Sequence, residues 1–308
     1  MINKIVAVQG NHPSKLNPIS DTSVFLAHEI QNKNYKIFYY DPKDLSVINT
    51  KVIASGFFIK FDYSKKKFYK ILKRQKMDIS KCKFILIRQD PPFNLEYISA
   101  TYILDTITDK VKVINNPTSI RNVSEKLYSA RYQKYMPSTI FTQNINEIKN
   151  FFKKHKKVIV KPIHSYSGND IHLLKNFNLK LINKFIKKHA HIMCQTYLPK
   201  ISKGDKRVFL INGKVCGAIS RVPKKGSFLS NMSKGAKPIN IKLTKKEYKI
   251  SKSIAKDLKK ENIFFAGIDF IDQKLNGDIN VTSPTGLKTL YDLSGINLAK
   301  YFWKELKA

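Results

Sequence analysis

The chain has 308 residues, 42% of them hydrophobic and 11% aromatic, which is ordinary for a globular protein with two or three subdomains. Its formal net charge is +35, but only six of the 57 basic residues are arginines and the lysines are spread from end to end. This pattern argues against the recognition of nucleic-acid bases, and the charge is left as a general attraction for anionic substrates. Without an apolar run of about 18 residues, an N-terminal targeting segment or a CxxC pair among its three cysteines, the sequence predicts a cytoplasmic protein without a membrane span, zinc or disulfides.

The first part of the chain predicts a doubly wound α/β domain. Residues 2–9 form a buried strand, Ser20 to Ser23 begin an amphipathic helix with side chains that can cap it, and YKIFYY is the next strand. In such a domain ligands lie at the carboxyl ends of the strands. No GxGxxG motif is present, so dinucleotide binding is not indicated. We expect residues 42–82 to form a small antiparallel excursion followed by a lysine-rich helix in KKKFYKILKRQK.

A polar site is predicted where the strand KFILI ends. Arg88 and Asp90 follow this strand, and two prolines with fixed φ hold the loop. The carboxyl edge of a central strand favours a binding site, while an ion pair that closes the loop is an equally good explanation. A helix follows from about Glu96, VKVINN is another strand, and a helix starts near Pro117.

From Pro137 onward the pattern predicts two α+β layers. PSTIFT predicts a strand, INEIKNFFKKH a helix, and KVIVKPIHSYSGNDIHLL a strand, a loop and a second strand. HIMCQTYLPK predicts a strand that runs into a linker stopped by proline. KRVFLINGKVCGAISRVP predicts an antiparallel hairpin with Asn212 and Gly213 at its turn. TKKEYKISKSIAKDLKKEN predicts a long surface helix, and LSGINLAKYFWKELK predicts a C-terminal amphipathic helix. Two such layers suit a nucleotide clamped between sheets.

Residues 261–286 predict a hairpin that binds a metal ion. IFFAGIDFI is the first strand, QKLNG is a turn that ends at Gly277, and DINVT is the second strand. Asp278 and Asn280 share one face of the second strand, and Asp269 can join them across the hairpin. A single Asp would be explained better as an exposed turn residue. Together the three oxygen ligands favour Mg²⁺, with phosphate oxygens completing its octahedron.

Several motifs, in their order and spacing, resemble those of an ATP-grasp ligase: VIVKP, QTYLP, GDKRV, FAGIDF and INVTSPTG. IRQDPPFNLEYISATYIL and VINNPTSIRNVSEKL are similar to the most distinctive segments of the bacterial glutathione synthetases. The resemblance covers nearly the whole chain, from the region of Asp21 to about Gly286. It implies a mixed α/β and α+β protein, in which a doubly wound α/β (pre-ATP-grasp) domain precedes a two-subdomain ATP-grasp fold. The expected bounds are 1–122 for the first domain and 123–308 for the second, with a lid subdomain at about 123–200 and a C-terminal subdomain at about 201–308.

The resemblance also implies a role for each motif residue. For ATP these are Lys126 and Lys161 at the phosphates, Gln195, Tyr197 and Leu198 at the adenine, and Asp205 near the ribose. Arg207 and Arg221 match the positions that stabilise phosphate oxygens and the reacting carboxylate. Asp269, Asp278 and Asn280 match the Mg²⁺ ligands. The residues implied on the peptide-substrate side are Asp21, Ser23, Arg88, Asn231, Ser283, Pro284 and Thr285.

The implied reaction is the ligation of a carboxylate to an amine. The C-terminal carboxylate of γ-glutamylcysteine attacks the γ-phosphate of ATP, and the amine of glycine then displaces phosphate from the acyl phosphate. The implied cofactors are ATP and Mg²⁺, with Mn²⁺ as an alternative metal. The implied partners are these small molecules, without nucleic acid or membrane, and a homo-oligomeric assembly, either a dimer or a tetramer.

The chain departs from the family pattern around the phosphate lid and the substrate cover. The loop from His164 to Gly168 is normally glycine-rich and here has one glycine, and the cover segment Phe228–Asn231 keeps only the Asn of a TRGN-like site. Asp278 stands where Glu is common, and Lys288 where Arg is common. These changes leave open an ATP-grasp ligase that joins a different carboxylate and amine.

Two hypotheses from other classes are a basic protein associated with nucleic acid and a catalytically silent nucleotide binder. The first predicts lysines clustered on one face, whereas the lysines are dispersed. The second is disfavoured because all three candidate metal ligands are retained.

Overall fold

The computed structural model describes residues 4–63, 65–165 and 168–308, so Tyr166 and Ser167 of the predicted phosphate loop lie outside the described residues. Within these ranges the strands form three sheets. In the described part of the chain, no helix is long and apolar enough to cross a membrane.

The N-terminal sheet has a parallel centre with helices on both faces. Its strands are β1 (Ile5–Gln9), β2 (Lys36–Tyr40), β3 (Leu45–Ile48), β4 (Lys51–Phe61), β5 (Tyr69–Asp78), β6 (Phe84–Ile87) and β7 (Lys112–Ile114). Strands β2, β1, β6 and β7 run parallel in that order, and β4 joins β2 antiparallel. The helices are α1 (Thr22–Gln31), α2 (Leu95–Asp105) and α3 (Pro117–Asn122). Alternating apolar residues of β1 pack toward α1 on one face and toward α2 and α3 on the other, which confirms the doubly wound prediction.

The helix predicted in KKKFYKILKRQK is wrong, because most of this segment lies in β5. Strand β5 pairs antiparallel along the length of β4. Tyr69 and Ile71 turn toward the apolar core, while Lys70 and Leu72 point outward. A long ladder of backbone hydrogen bonds to β4 therefore overrides the helix propensity of the lysines.

The second sheet, called here the lid sheet, is antiparallel and carries helices on one face. It contains β8 (Thr139–Thr142), β9 (Val158–Pro162), β10 (His172–Leu174) and β11 (Ile192–Thr196) in the order β10-β9-β11-β8. Helices α4 (Ile145–His155) and α5 (Leu179–His189) bury their apolar residues against it. Helix α5 is absent from the elements predicted above, although Asn178 caps it and Ile182 and Phe185 have helical spacing.

The third sheet, called here the C-terminal sheet, contains the predicted hairpins. Its strands are β12 (Asp205–Ile211), β13 (Lys214–Val222), β14 (Lys237–Asn240), β15 (Phe265–Ile271) and β16 (Lys274–Asn280), in the order β14-β13-β12-β15-β16. The turn at Asn212 and Gly213 is confirmed, and both residues have positive φ. Helix α6 (Lys245–Lys260) is the predicted long helix, and Thr244 and Glu247 form a capping box at its start.

Two boundaries in this region differ from the prediction. The hairpin turn is at Asp272 and Gln273, so QKLNG is not the turn, and Gly277 lies inside β16 with φ of 84°. A glycine within a strand marks a bulge, and the register shifts at this point. The predicted C-terminal helix over residues 293–307 corresponds to α8 (Leu298–Glu305). Its first two residues are the end of α7 (Leu287–Ser294), a helix absent from the predicted elements, which Gly295 in the left-handed region ends.

The C-terminal segments pack back on the N-terminal domain. The indole of Trp303, which is fully buried, donates to the carbonyl of Leu26 at 2.8 Å. The amide of Asn115 donates to the carbonyls of Phe265 and Val281, at 2.7 Å each, and accepts from the backbone N–H of Phe265 at 2.8 Å. These contacts fix the N-terminal sheet against the C-terminal sheet. The predicted domain boundary at residue 122 stays a prediction.

Candidate active site

A cavity of about 660 Å³ lies between the lid sheet and the C-terminal sheet, with loops of the N-terminal domain along one side. Most of the predicted site residues line it: Asp21, Lys126, Lys161, Gln195, Tyr197, Leu198, Asp205, Arg207, Arg221, Asn231, Asp269, Asp278, Asn280, Ser283 and Thr285. Ser23, Arg88 and Pro284 are not part of the lining. The fold therefore brings together residues that are up to about 260 positions apart in the sequence.

Two arginines converge on the carboxylate of Asp269. Arg207 donates to it through Nε and through Nη2, the latter at 2.8 Å, and Arg221 donates through Nη2 at 2.9 Å. This geometry follows from the sheet, because Arg207 is the register partner of Asp269 on the neighbouring strand. Burial alone would raise the pKa of Asp269, but the two guanidinium groups hold it well below its ordinary value. Asp269 is therefore ionised at neutral pH.

Asp205 holds Arg221 from the other side. Its carboxylate accepts from Nε of Arg221 at 2.8 Å and from the hydroxyl of Ser230 at 2.6 Å. All three side chains are buried. In this arrangement Asp205 orients the guanidinium of Arg221, and its assignment to the ribose stays a prediction.

Asp278 lies between two lysines that come from different segments. Lys126 Nζ is 3.5 Å from one carboxylate oxygen, and Lys161 Nζ is 3.4 Å from the other. Lys126 is brought here because the carbonyl of Glu125 accepts from the backbone N–H of Ile279 at 2.9 Å. Burial would raise the pKa of Asp278, but the two ammonium groups outweigh it and lower that pKa below its ordinary value.

The metal ligands implied for this hairpin fit a divalent cation that is shared with phosphate. Asp278 and Asn280 lie on one face of β16, and the carboxylate of Asp269 comes from the adjacent β15. In residues 4–63, 65–165 and 168–308, no group of three or more His, Cys, Asp or Glu side chains forms a metal cage. Mg²⁺ is usually held by one or two carboxylates with water and substrate phosphates, so it needs no such cage. Both carboxylates are ionised oxygen donors, the type of ligand that Mg²⁺ requires.

The linker after β11 forms another wall of the cavity. Gln195 is buried and donates from Nε2 to the hydroxyl of Thr139 at 3.0 Å. Tyr197 is tied by its backbone N–H to the carbonyl of Lys157 at 3.0 Å, and Leu198 follows in an extended conformation. Both are half-buried, so this linker presents backbone and apolar surface to the cavity.

Arg88 joins the predicted peptide-side residues behind the cavity wall. Its Nε donates to the hydroxyl of Ser23 and its Nη2 to the carbonyl of Pro284, both at 3.0 Å. Its Nη1 is buried and has no hydrogen-bond partner among the described residues. Asp21 caps α1 by accepting from the backbone N–H of Val24 at 2.8 Å. Arg88 therefore fixes the start of α1 against the loop before α7 and keeps an unused donor.

Two loops meet at the outer side of the cavity. Gly168 packs so closely on the amide of Asn231 that a Cβ there would lie 2.5 Å from Asn231 Oδ1. Next to this contact, Lys234 Nζ donates to Asn169 Oδ1 at 3.0 Å. The predicted phosphate lid and substrate cover are therefore in contact, through the one glycine and the asparagine that this sequence keeps from the family pattern.

Sequence reasoning missed three residues of the site: Glu125, Ser230 and Asn276. Burial raises the pKa of Glu125, although Lys126 at 3.3 Å partly offsets this effect. Ser230 bonds Asp205, and Asn276 bonds Lys161 and Asp278. Glu125 is adjacent to Lys126 in the NVSEKL motif, and Asn276 shares the alternation of Asp278 and Asn280, so both had a signal in the sequence.

The fold and the charged cavity define the ATP-grasp class of ligases. Solved structures with the same fold include ATP-grasp ligase PsnB complexed with precursor peptide PsnA2 and AMPPNP, at a TM-score of 0.63 and 13% identity over 99% of this chain and 97% of that one. Another is the D-cycloserine synthetase DcsG, at a TM-score of 0.65 and 10% identity over 98% of both chains. At such low identity these structures show the fold alone.

The sequence comparisons are more specific. Residues 5–121 match the family model of the prokaryotic glutathione synthetase N-terminal domain, and residues 125–295 match that of the prokaryotic glutathione synthetase ATP-grasp domain. A glutathione synthetase of Agrobacterium fabrum is 32% identical over 99% of this chain and 96% of its own length. One of Buchnera aphidicola subsp. Baizongia pistaciae is 36% identical over 93% of this chain and 90% of its own length. The chain belongs to the prokaryotic glutathione synthetase family.

Proposed function

We propose that this protein is a glutathione synthetase, which uses ATP and Mg²⁺ to join γ-glutamylcysteine to glycine. The observation that carries the proposal is the charged cluster of the cavity, in which Arg207 and Arg221 share Asp269 while Lys126 and Lys161 share Asp278. Its acidic groups suit a metal ion, and its basic groups suit phosphate. The family of this chain supports the same reaction.

The cluster supports phosphoryl transfer by positioning charge. Asp269, Asp278 and Asn280 would hold Mg²⁺, which when bound would neutralise charge on the phosphate oxygens. The two guanidinium groups are fixed side by side by their common carboxylate, so they need no rearrangement to face a negative charge that builds up during transfer. Lys126 and Lys161 contact Asp278 on the second strand of the same hairpin and would bind the phosphates as compact point charges.

We place the substrate carboxylate at the side of the cavity that Ser283 and Thr285 line, with Arg88 behind this wall. The free Nη1 of Arg88 is a buried cationic donor, and the backbone of Ser283 to Thr285 lies next to it. In the proposed reaction the C-terminal carboxylate of γ-glutamylcysteine takes the γ-phosphate, releases ADP and becomes an acyl phosphate. The amine of glycine then attacks the acyl carbon, phosphate leaves, and a proton of the amine is lost. No covalent bond to the protein is formed.

The test is a coupled assay of phosphate release with mass spectrometry of the product. Purified protein, ATP and Mg²⁺ are supplied with γ-glutamylcysteine and glycine, or with each of these substrates alone. We expect phosphate and glutathione in equal amounts, and only when both substrates are present. Turnover without glutathione, or none with this pair, would refute the proposed substrate.

A second candidate function is an ATP-grasp ligase that joins another carboxylate and amine. The changed residues around the kept Gly168 and Asn231 favour it, because they lie in the lid and the cover, which meet at the side of the cavity. A panel of dipeptides and amino acids in the same assay separates the two candidates. Turnover with another pair that exceeds the rate with γ-glutamylcysteine and glycine would select the second.

Three further features belong to the proposal and have their own measurements. A homo-oligomer, either a dimer or a tetramer, would be detected by analytical ultracentrifugation. Replacement of Mg²⁺ by Mn²⁺ in the assay tests the metal. Fractionation of cells that express the chain tests the cytoplasmic location.

A further inference from the structure

The bulge in β16 places three consecutive residues against Asp269. On either side of it, Ile268 pairs with Ile279 and Phe270 pairs with Leu275. The segment from Asn276 to Asp278 therefore spans the space opposite the single residue Asp269. A bulge of this kind redirects side chains and is common next to functional sites.

All three hydrogens of the Lys161 ammonium point at acceptors on this bulge. Lys161 Nζ lies 2.9 Å from the carbonyl oxygen of Asn276, 3.3 Å from its Oδ1 and 3.4 Å from Asp278 Oδ2. The same amide donates from Nδ2 to Asp278 Oδ2 at 3.3 Å. Because an ammonium group has three donors and no acceptor, the bulge satisfies it completely.

The contact crosses from one sheet to the other. Lys161 is on β9 of the lid sheet, and Asn276 is on β16 of the C-terminal sheet. Beside it, a Cβ on Gly277 would lie 2.5 Å from Met193 Cε and 3.0 Å from Met136 Cε. The positive φ of Gly277 favours glycine, and the bulge packs against the ends of these two methionine side chains under the lid sheet.

We propose that Asn276 is a positioning residue for nucleotide binding: its two oxygens hold the Lys161 ammonium across the cleft, and the third hydrogen, which Asp278 accepts in this structure, becomes available to a phosphate oxygen when nucleotide binds. Asp278 is a proposed metal ligand, so its hold on Lys161 weakens when its oxygens turn to a cation. The two oxygens of Asn276, its backbone carbonyl and its side-chain Oδ1, remain as acceptors. This inference rests on the proposed function, because it requires that nucleotide phosphates bind in this cavity.

The test is a double-mutant cycle on the affinity for ATP in the presence of Mg²⁺, measured by isothermal titration calorimetry without the carboxylate and amine substrates. We expect Asn276→Ala to raise the Kd about tenfold, the effect of losing one hydrogen bond to a charged group. In the Lys161→Met background the same change should alter the Kd less than about twofold, because Asn276 acts through Lys161. Asn276→Ser keeps a shorter acceptor and should give a smaller increase. The exposed Asn240→Ala is the matched control and should leave the Kd unchanged.

The outcomes separate this inference from the proposed function. If the wild-type protein does not bind ATP, the proposed function itself fails. If the wild type binds but Asn276→Ala binds equally well, or loses the same factor in both backgrounds, Asn276 does not position Lys161. Thermal unfolding of the nucleotide-free variants identifies any that lose affinity through misfolding. If Asn276→Ala is misfolded, the Kd of Asn276→Ser decides whether Asn276 positions Lys161.

Discussion

Replacing Asp269 with Asn should weaken both the folded state and the reaction, because this carboxylate balances two buried guanidinium groups. Asp269, Arg207 and Arg221 are 4%, 6% and 6% exposed. The variant keeps the shape of the side chain and removes its negative charge. Arg207 then loses its bidentate ionic partner, whereas Arg221 keeps Asp205.

The magnitude follows from the burial of these groups. Removing one partner of a buried ion pair costs about 3–5 kcal/mol, because the remaining charge is left without compensation. Since Asp205 still serves Arg221, we expect the lower end of that range, about 3 kcal/mol. A domain with a total stability of about 5–15 kcal/mol remains folded after such a loss. The rate of phosphate release should fall by about two orders of magnitude, as when one electrostatic group is removed from a transition-state site.

The assay is equilibrium unfolding in urea without nucleotide, followed by phosphate release with the folded variant. Asp272→Asn is the matched control on the same hairpin, since Asp272 is exposed and pairs at 2.7 Å with the exposed Lys200. Such a surface pair is worth less than about 1 kcal/mol. If Asp269→Asn matched the control in both stability and rate, the role of the shared carboxylate would be wrong.

Three other changes have expected outcomes. Lys161→Ala should abolish phosphate release and lower the thermal midpoint below that of the exposed control Lys200→Ala, because it leaves the buried Asp278 with one cation fewer, and an active variant would contradict the phosphate role. Lysines lower the pKa of Asp278 in the folded state. The ionised Asp278 therefore stabilises the fold fully above the unfolded pKa of about 3.9, and this stabilisation is lost as the pH falls through the lower folded pKa. The difference in unfolding free energy between wild type and Asp278→Asn, measured from pH 6 to pH 3, should therefore shrink in acid, and a constant difference would refute this. Trp303→Ala should cost about 3–5 kcal/mol in urea unfolding, because it removes a fully buried indole and its bond to Leu26, and a loss below about 1 kcal/mol would show that α8 is not part of the core.

The elements that sequence analysis predicted well are those with strong local signals. Asn212-Gly213 between two β-branched runs is a turn because both residues accept positive φ, and Thr244 with Glu247 caps α6 through bonds within four residues. The strand KFILI, which precedes Arg88, is apolar from Phe84 to Ile87, where β6 is covered on both faces. In each case the local sequence is enough to predict the conformation.

The wrong predictions of secondary structure arise where contacts with a segment distant in the sequence determine the conformation. The lysine-rich segment KKKFYKILKRQK has the residues of a helix, yet most of it forms β5 because it makes backbone hydrogen bonds along β4. Gly277 has the signal of a turn, but the turn forms earlier at Asp272 and the glycine serves a bulge that packs under Met193. Local propensity cannot separate these alternatives, because their energies differ through contacts with other strands.

For the site, the sequence by itself determined which residue types lie on which strand and, through resemblance, which family the motifs indicate. It placed Asp278 and Asn280 on one face because side chains alternate along a strand. Only the tertiary structure decided that Asp269 pairs with Arg207 and that Arg88 lies behind the cavity wall with a free donor. Only the tertiary structure, too, brought Asn276 to Lys161 across two sheets. The physical reason is that these charges are buried, and a buried charge takes its partner from whichever segment the packing of the sheets brings within hydrogen-bond distance.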